Sequence, residues 1–280
     1  MRSANMKKKL ILIAAAAMIV VLMTVACGKK KEISLSPEDM GTDKEIYEKA
    51  KKRMKGNPEK ARMLFKEVMH LYPDSIYASR AKIGIADSYY RQKDAASLVM
   101  AASEYQEYVN LYPNSPDAVY AKYRIALCYL RQMKKAGRDQ TNTYQAIKAL
   151  ENMIKQYPDT QEAEEAKKQL EKARQRLALH YFEIGRTNFK MRAYMGAVYR
   201  FKQVIDDYPE FQRNDHLFFL TGKCYYAMRD YNSALSFFQK IVNSYPKSRY
   251  LGKAAAMIKD IAQIQTRLAE KEKIAKRDQK

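Results

Sequence analysis

Five Tyr-Pro dipeptides, at Tyr72-Pro73, Tyr112-Pro113, Tyr157-Pro158, Tyr208-Pro209 and Tyr245-Pro246, divide the chain at intervals of 37 to 51 residues. Counting back from each proline gives one recurring set: Ala61/Phe65/Val68, Ala101/Tyr105/Tyr108, Ala146/Leu150/Met153, Ala197/Phe201/Val204 and Ala234/Phe238/Ile241. Steps of four and three residues place a small and two large apolar groups on one face of a helix. The proline then ends that helix, because it has no N–H to donate and pushes its predecessor out of the α region. One supersecondary unit is therefore used five times. Units repeated at such periods cannot bury their apolar faces alone and stack into a helical solenoid. A non-repetitive bundle would have to reach five equal spacings by chance.

The upstream halves of the units identify the kind of solenoid. Gly185, Asn188 and Tyr194 stand 37 residues before Gly222, Tyr225 and Tyr231, which carries the register through a first helix and its turn. A small residue at a close helix crossing, an aromatic three residues later, then Ala, Phe and a closing Pro resembles the tetratricopeptide repeat. The resemblance covers roughly residues 43 to 250. The turns after Tyr89 and Tyr129 are about three and eight residues longer than the pattern, and Lys52 and Pro58 stand in the first unit where aromatics are expected. Leu251, Ala254, Ala255, Ile258, Ile261 and Leu268 fit one face of a helix able to cover the last unit, whereas the charged tail after Ala269 should fray. The predicted fold is all-α: a right-handed superhelical solenoid of five tetratricopeptide repeats with a C-terminal capping helix.

Between the third and fourth units lies a charged insert, Thr160 to Arg176. Asp159 or Thr160 can cap its start, Glu162, Glu164 and Glu165 suit the positive helix end, and Glu164 and Lys168 can pair four residues apart. With no Gly or Pro before Gly185, one helix of about 30 residues, roughly 45 Å long, is expected. The predicted divisions are 1–26, 27–42, three repeats over 43–159, the long helix and two repeats over 160–250, and a capping helix with charged tail over 251–280.

The first 26 residues are of another kind. Lys7, Lys8 and Lys9 precede an uncharged apolar run from Leu10 to Ala26, the basic-then-apolar layout of an export signal, with Met1 or Met6 as its start. Thr24-Val25-Ala26-Cys27-Gly28 resembles the bacterial lipobox, in which the Cys27 thiol would take the lipid. The competing reading is a retained membrane anchor, since 17 apolar residues are barely enough to span a bilayer. In lipoproteins of bacteria with two membranes, an Asp after the cysteine favours inner-membrane retention, so Gly28 resembles the outer-membrane class. Residues 27–42 read as a lipidated start and flexible basic linker.

The formal charge is +21, and removal of Arg2 and Lys7 to Lys9 with the signal leaves about +17. No nucleic-acid motif accompanies it, and an exported chain rarely meets nucleic acid, so no nucleic-acid partner is expected. Anionic headgroups or acidic protein surfaces are the fitting counterparts, and dispersed charge also keeps a solenoid soluble. Cys128 and Cys224 directly precede Tyr129 and Tyr225 at equivalent sites two repeats apart, too far for a disulfide, and read as packing thiols. His70, His180 and His216 fall in different units with no metal-ligand spacing, and no nucleophile or phosphate-loop motif occurs. Neither an enzyme nor a cofactor or metal site is expected.

A concave face built from the first helices is the candidate groove. Its predicted stripe contains Ile83, Asp87 and Tyr90, then Tyr120, Tyr123, Leu127 and Leu130, then Leu179, Phe182, Arg186 and Phe189, then His216, Phe219, Lys223 and Tyr226. Arg91, Arg131, Arg186 and Lys223 edge it. Rings beside cations suit an extended or helical peptide carrying aromatics and a carboxylate. The same stripe could instead pack on the next repeat or on the linker.

Several interior segments carry a narrower resemblance. Tyr112 to Tyr123 (YPNSPDAVYAKY), the Gly137-Arg138-Asp139-Gln140 turn, Arg176-Leu177-Ala178, and Ala193-Tyr194 followed by Arg200 and Asp207-Tyr208-Pro209 resemble the family of outer membrane protein assembly factor BamD. The resemblance implies a non-enzymatic five-repeat lipoprotein, lipid-anchored in the outer membrane and facing the periplasm. It implies as partners the POTRA region of the barrel-forming subunit BamA, other lipoproteins of the assembly complex, and unfolded β-barrel precursors. Arg200 matches a family arginine implicated in the contact with BamA, while Arg138 and Asp139 either reach a partner or hold their own turn by an ion pair. The chain departs from the family at Gly137, where Asp is common, at Tyr181, where Glu is common, and at Thr187-Asn188, which replace tandem tyrosines. Repeat lipoproteins of pilus or secretin assembly, repeat proteins coordinating cell constriction with peptidoglycan synthesis, and accessory subunits of a cell-wall enzyme are the alternatives. No trimerising coiled coil of the constriction type is visible.

Overall fold

The computed structural model describes residues 41–277. The predicted export signal and Cys27 lie outside them. Eleven helices and no strand occur among the described residues: α1 Asp43–Arg53, α2 Pro58–Leu71, α3 Ile76–Gln92, α4 Ala95–Leu111, α5 Asp117–Arg131, α6 Thr141–Gln156, α7 Gln161–Lys190, α8 Tyr194–Asp207, α9 Asn214–Ala227, α10 Tyr231–Ser244 and α11 Leu251–Arg277. Each helix packs on its neighbours in sequence, with additional contacts of α1 with α3, α5 with α7 and α7 with α9. From Asp43 to Arg277 the chain is an all-α tetratricopeptide-repeat solenoid of five helix pairs closed by α11.

Each Tyr-Pro ends one helix and prepares the next. The N–H groups of Tyr72, Tyr112, Tyr157, Tyr208 and Tyr245 donate to the carbonyls four residues back, at 2.8–3.0 Å. Where Ser or Thr follows three residues after the tyrosine, its N–H donates to the tyrosine carbonyl, as Ser75 does to Tyr72 at 3.1 Å and Ser248 to Tyr245 at 2.9 Å. The hydroxyl then serves the start of the following helix: Ser75 Oγ accepts from Tyr77 N at 3.0 Å and Thr160 Oγ1 from Ala163 N at 3.2 Å. One four-residue phrase thus satisfies carbonyls at one helix end and amides at the next. Turns inside a pair use another device, with Lys93, Arg192 and Arg229 in the left-handed region and Asp94 and Asp230 capping α4 and α10.

In the fourth and fifth repeats the two helices of a pair meet where one of them has no side chain. A Cβ built on Gly185 would lie 2.5 Å from the Phe201 ring, and one on Gly222 would lie 2.7 Å from that of Phe238. Ala86 and Ala126 occupy the corresponding positions in α3 and α5 and are fully buried. Gly84 makes a further close approach, between repeats, against Phe65. Ala197 and Ala234 on the opposing helices are also fully buried. Ala197→Leu or Ala234→Leu should therefore overpack the crossing and lower stability by about 1–3 kcal/mol, whereas Ala255→Leu on the exposed side of α11 should cost little. Thermal unfolding followed by circular dichroism measures the difference.

α7 is unbroken for 30 residues, capped by Thr160. Its first-turn acids pair three residues ahead, Glu164 with Lys167 at 2.6 Å and Glu165 with Lys168 at 3.0 Å, rather than Glu164 with Lys168. In the first unit Tyr47 supplies the missing aromatic, its ring 5.6 Å from that of Phe65 and 5.2 Å from that of Tyr77. In α11, Ala254 and Ile261 are buried, but Ala255 is exposed and Leu268 is 49% exposed, so the covering face is shorter than its sequence pattern. The charged stretch after Ala269 does not fray at once: it remains helical to Arg277, since Glu, Lys and Ala are good helix formers. Cys128 and Cys224 are buried free thiols whose pKa burial pushes up to about 12, as expected of packing residues.

Candidate partner-binding surfaces

On the inner side of the second and third repeats, rings and guanidinium groups are layered. Tyr90, near the end of α3, is buried, with the Arg124 guanidinium 3.8 Å from its ring centroid and that of Arg131 3.7 Å from it. Arg131 also donates to the Tyr90 carbonyl at 3.1 Å. Arg124 is held by Asp87 at 3.3 Å and donates through Nε to the Tyr105 hydroxyl at 3.1 Å. Asp87 accepts from the hydroxyls of both Tyr105 and Tyr120. Burial first, and the Asp87 charge second, raise the pKa of both phenols well above the usual tyrosine range. They therefore remain neutral donors. The Asp87 carboxylate is committed inside the protein, while Arg91 is exposed at the rim.

The predicted stripe is not continuous. Phe182 is fully buried among Phe201, Phe211 and His216, so it belongs to the core and not to a groove surface. Tyr90 is likewise enclosed, its ring covered by guanidinium groups rather than open to a ligand. Tyr123 packs partly buried against the cluster that joins α5, α6 and α7. Further along, Phe219 stacks on Tyr250 at 4.9 Å, and Tyr226 donates to Asp260 of α11 at 2.5 Å. The segment entering α11, and α11 itself, thus occupy the last part of the stripe. Phe189 contacts Tyr194 and lies 6.0 Å from Lys223 Nζ, and Arg186 pairs with Glu183 at 3.2 Å. A spacing of three and four residues marks an inner helix face. It does not reveal which rings a neighbouring element covers.

The Arg138-Asp139 turn holds itself together without an ion pair between those two residues. Asp139 Oδ1 accepts from the Thr141 N–H at 3.2 Å and hydroxyl at 2.8 Å, which places its pKa below the usual carboxylate value. The buried Gln140 donates to the carbonyls of Lys135 and Arg138 at 3.0 and 2.8 Å. His180 Nδ1 bonds the Ala136 carbonyl at 2.6 Å and docks the turn on α7. Arg138 is exposed.

Arg200 lies on a second surface, formed by α6, α7 and α8. Its guanidinium is 5.6 Å from the Tyr181 ring centroid and 5.3 Å from that of Tyr199, and it donates to Gln203 at 2.9 Å. Among the described residues it has no carboxylate partner within salt-bridge distance. Tyr144 and Tyr181 join their hydroxyls across α6 and α7, and the Tyr208 ring lies 6.3 Å from that of Tyr181. Burial first, then the neighbouring Tyr181, push the Tyr208 pKa up to about 12. Tyr144, Met195 and Tyr199 are 46%, 73% and 67% exposed. Exposed rings around an uncompensated cation are the composition of a protein-contact surface. Sequence marks Arg200 as a partner contact and names Tyr181 and Tyr208 for other reasons, but gives no such role to Tyr144, Met195 or Tyr199. Tyr199 carried a signal, since it lies two residues from both Ala197 and Phe201 and must point away from the core.

Among the described residues no group of side chains could hold a metal ion, and no helix is long and apolar enough to cross a membrane. A family model described as YfiO, outer membrane lipoprotein, matches residues 39–234. No curated protein sequence matches the chain. Similar solved structures include the TPR2AB domain of yeast Sti1 in its Hsp90 complex, at 13% identity and a TM-score of 0.43, with 81% of this chain and 86% of that one covered. A tetratricopeptide-repeat protein of Thermus thermophilus aligns at 15% identity and a TM-score of 0.33, over 78% of this chain and 99% of that one. The type IV pilus biogenesis factor PilW aligns at 13% identity and a TM-score of 0.27, over 76% and 98%. None of these superpositions is close enough to bear on function.

Proposed function

The chain belongs to the YfiO family of outer membrane lipoproteins, and from that membership we propose that it is a non-enzymatic scaffold of β-barrel assembly. It is tethered through Cys27 to the periplasmic face of the outer membrane, binds the POTRA region of a BamA-like barrel protein, and helps deliver unfolded barrel precursors to it. The observation that carries the POTRA contact is Arg200, the residue matching the family arginine, among exposed Tyr199, Tyr144 and Met195. Tyr181 stands where the family commonly has Glu, so Arg200 faces a ring instead of a carboxylate. Its charge is left for an acidic group on a partner. The surviving part of the inner groove, edged by Arg91 and Arg131 with Tyr123 within it, is the proposed precursor site, and Arg138 lies on an exposed turn that a second lipoprotein of the complex could reach.

The test is a pull-down of the membrane-extracted protein. A barrel protein with POTRA domains should co-purify, and its absence under conditions that keep the scaffold folded overturns the reading. The anchor is tested separately. Cys27→Ala should abolish incorporation of labelled fatty acid and leave the precursor unprocessed, and unchanged labelling would reject lipidation at this residue.

A further inference from the structure

A second groove lies on the side of α5 turned away from Tyr120, Tyr123 and Leu127. It has a volume of about 370 Å³ and is bounded by α4, α5 and α6. Its floor is apolar, made by Val109, Ile125, Ala149 and Met153. Its walls are carboxamides: Gln106 on α4, with Gln145, Asn152 and Gln156 on α6. A neighbouring depression shares Gln106, Ile125 and Tyr129 and extends the groove toward Asn110 and Asn142.

Two lysines, Lys122 and Lys148, line the first depression, and no Asp or Glu does. Lys122 is fixed by neutral groups only. Its ammonium donates to Gln156 Oε1 and to the Tyr157 hydroxyl at 3.1 Å, and lies 4.8 Å from the Tyr157 ring centroid. Neither lysine has an ion-pair partner among the described residues. The acid bordering the groove, Glu107 in the neighbouring depression, is already paired with Lys82 at 2.7 Å.

We propose that this groove is a binding site for an extended acidic peptide segment of a partner protein, separate from the inner groove and from the Arg200 surface. A strand lying there exposes N–H and C=O groups that need partners, and Gln145 and Asn152 each offer both a donor and an acceptor. Gln106, which donates to Asn110 at 3.0 Å, and Gln156, which accepts from Lys122, keep their remaining hydrogen-bonding capacity. Alternate side chains rest on the apolar floor, and a Glu or Asp pairs with Lys122 and Lys148. A basic or purely apolar segment leaves both ammonium groups uncompensated.

The probe is a capped, fluorescent ten-residue peptide alternating Val and Glu, compared with its Val and Gln counterpart at fixed physiological salt. Because the whole chain is basic, the decisive comparison is between lysine pairs. Lys122→Gln with Lys148→Gln should weaken the Glu peptide by about tenfold or more, and the control Lys271→Gln with Lys273→Gln by less than about twofold. Gln145→Leu with Asn152→Leu should weaken both peptides, a loss that pure charge attraction does not give. A photo-crosslinker on the Glu peptide should label α4 and α6. Equal loss from the two lysine pairs, equal binding of the Glu and Gln peptides, or crosslinks confined to the inner face would each overturn the proposal. So would binding of phosphatidylglycerol vesicles that depends on Lys122 and Lys148 while the peptide does not bind, since the site would then be a lipid contact.

Discussion

Phe201→Ala is expected to destabilise the protein by about 3–5 kcal/mol, more than any substitution on the exposed faces. The ring is fully buried, rests directly on Gly185 and lies 5.9 Å from the Phe182 ring. Its removal leaves a hole that the crossing cannot close, because the residue opposite has no side chain to move into it and Ala197, one turn away, is already fully buried. Thermal unfolding and limited proteolysis together test this. The α7–α8 pair should become the first site of cleavage, since a repeat depends on contacts with its immediate neighbours. A melting temperature unchanged from the parent would show that the crossing is not where the fourth repeat is held.

That the crossing could be read from sequence at all follows from its chemistry. Gly185 and Phe201, and Gly222 and Phe238, are constrained by close packing of two backbones, which admits very few residue types and so repeats visibly along the chain. The Tyr-Pro helix stops were legible for a similar reason, since proline cannot continue a helix, whereas the hydroxyl that caps the next helix, Thr160 apart, became apparent only in the structure. α7 showed itself through the lack of any breaker before Gly185.

Contacts between repeats left weaker traces. Tyr250 and Asp260 cover the C-terminal part of the inner face by stacking on Phe219 and bonding Tyr226, interactions across more than thirty residues in which the spacing marks Phe219 and Tyr226 as inner-face residues but gives no sign of what covers them. The burial of Tyr90 depends on Arg124 and Arg131, each of which alone reads as a solvated cation. Helical periodicity assigns a residue to a face. What that face meets is set by the twist from one repeat to the next, which no single repeat encodes.

Arg200→Glu is expected to lower affinity for the proposed POTRA partner by about tenfold or more while leaving helicity unchanged, because it turns an uncompensated cation into an anion at the proposed charge-complementary contact. Arg200 is half-buried against Tyr181 and Tyr199 and donates only to Gln203, so its loss breaks no ion pair within the protein. Tyr199→Ala, which removes a ring that is 67% exposed, should weaken the same partner without changing the charge and separates apolar contact from electrostatics. Tyr123→Ala should spare the POTRA partner and weaken precursor peptides with aromatic C-terminal segments. Tyr90→Ala cannot serve this purpose, since it strips the support from Arg124 and Arg131 and would disturb folding and binding together. Each ligand is titrated separately at fixed salt, after circular dichroism has established that the variant is folded. The Arg200→Glu loss should shrink as salt is raised, because screening weakens both the original attraction and the new repulsion. POTRA affinity unchanged in Arg200→Glu, or equal losses of both ligands in Tyr123→Ala, would mean that the two surfaces do not divide the work as proposed.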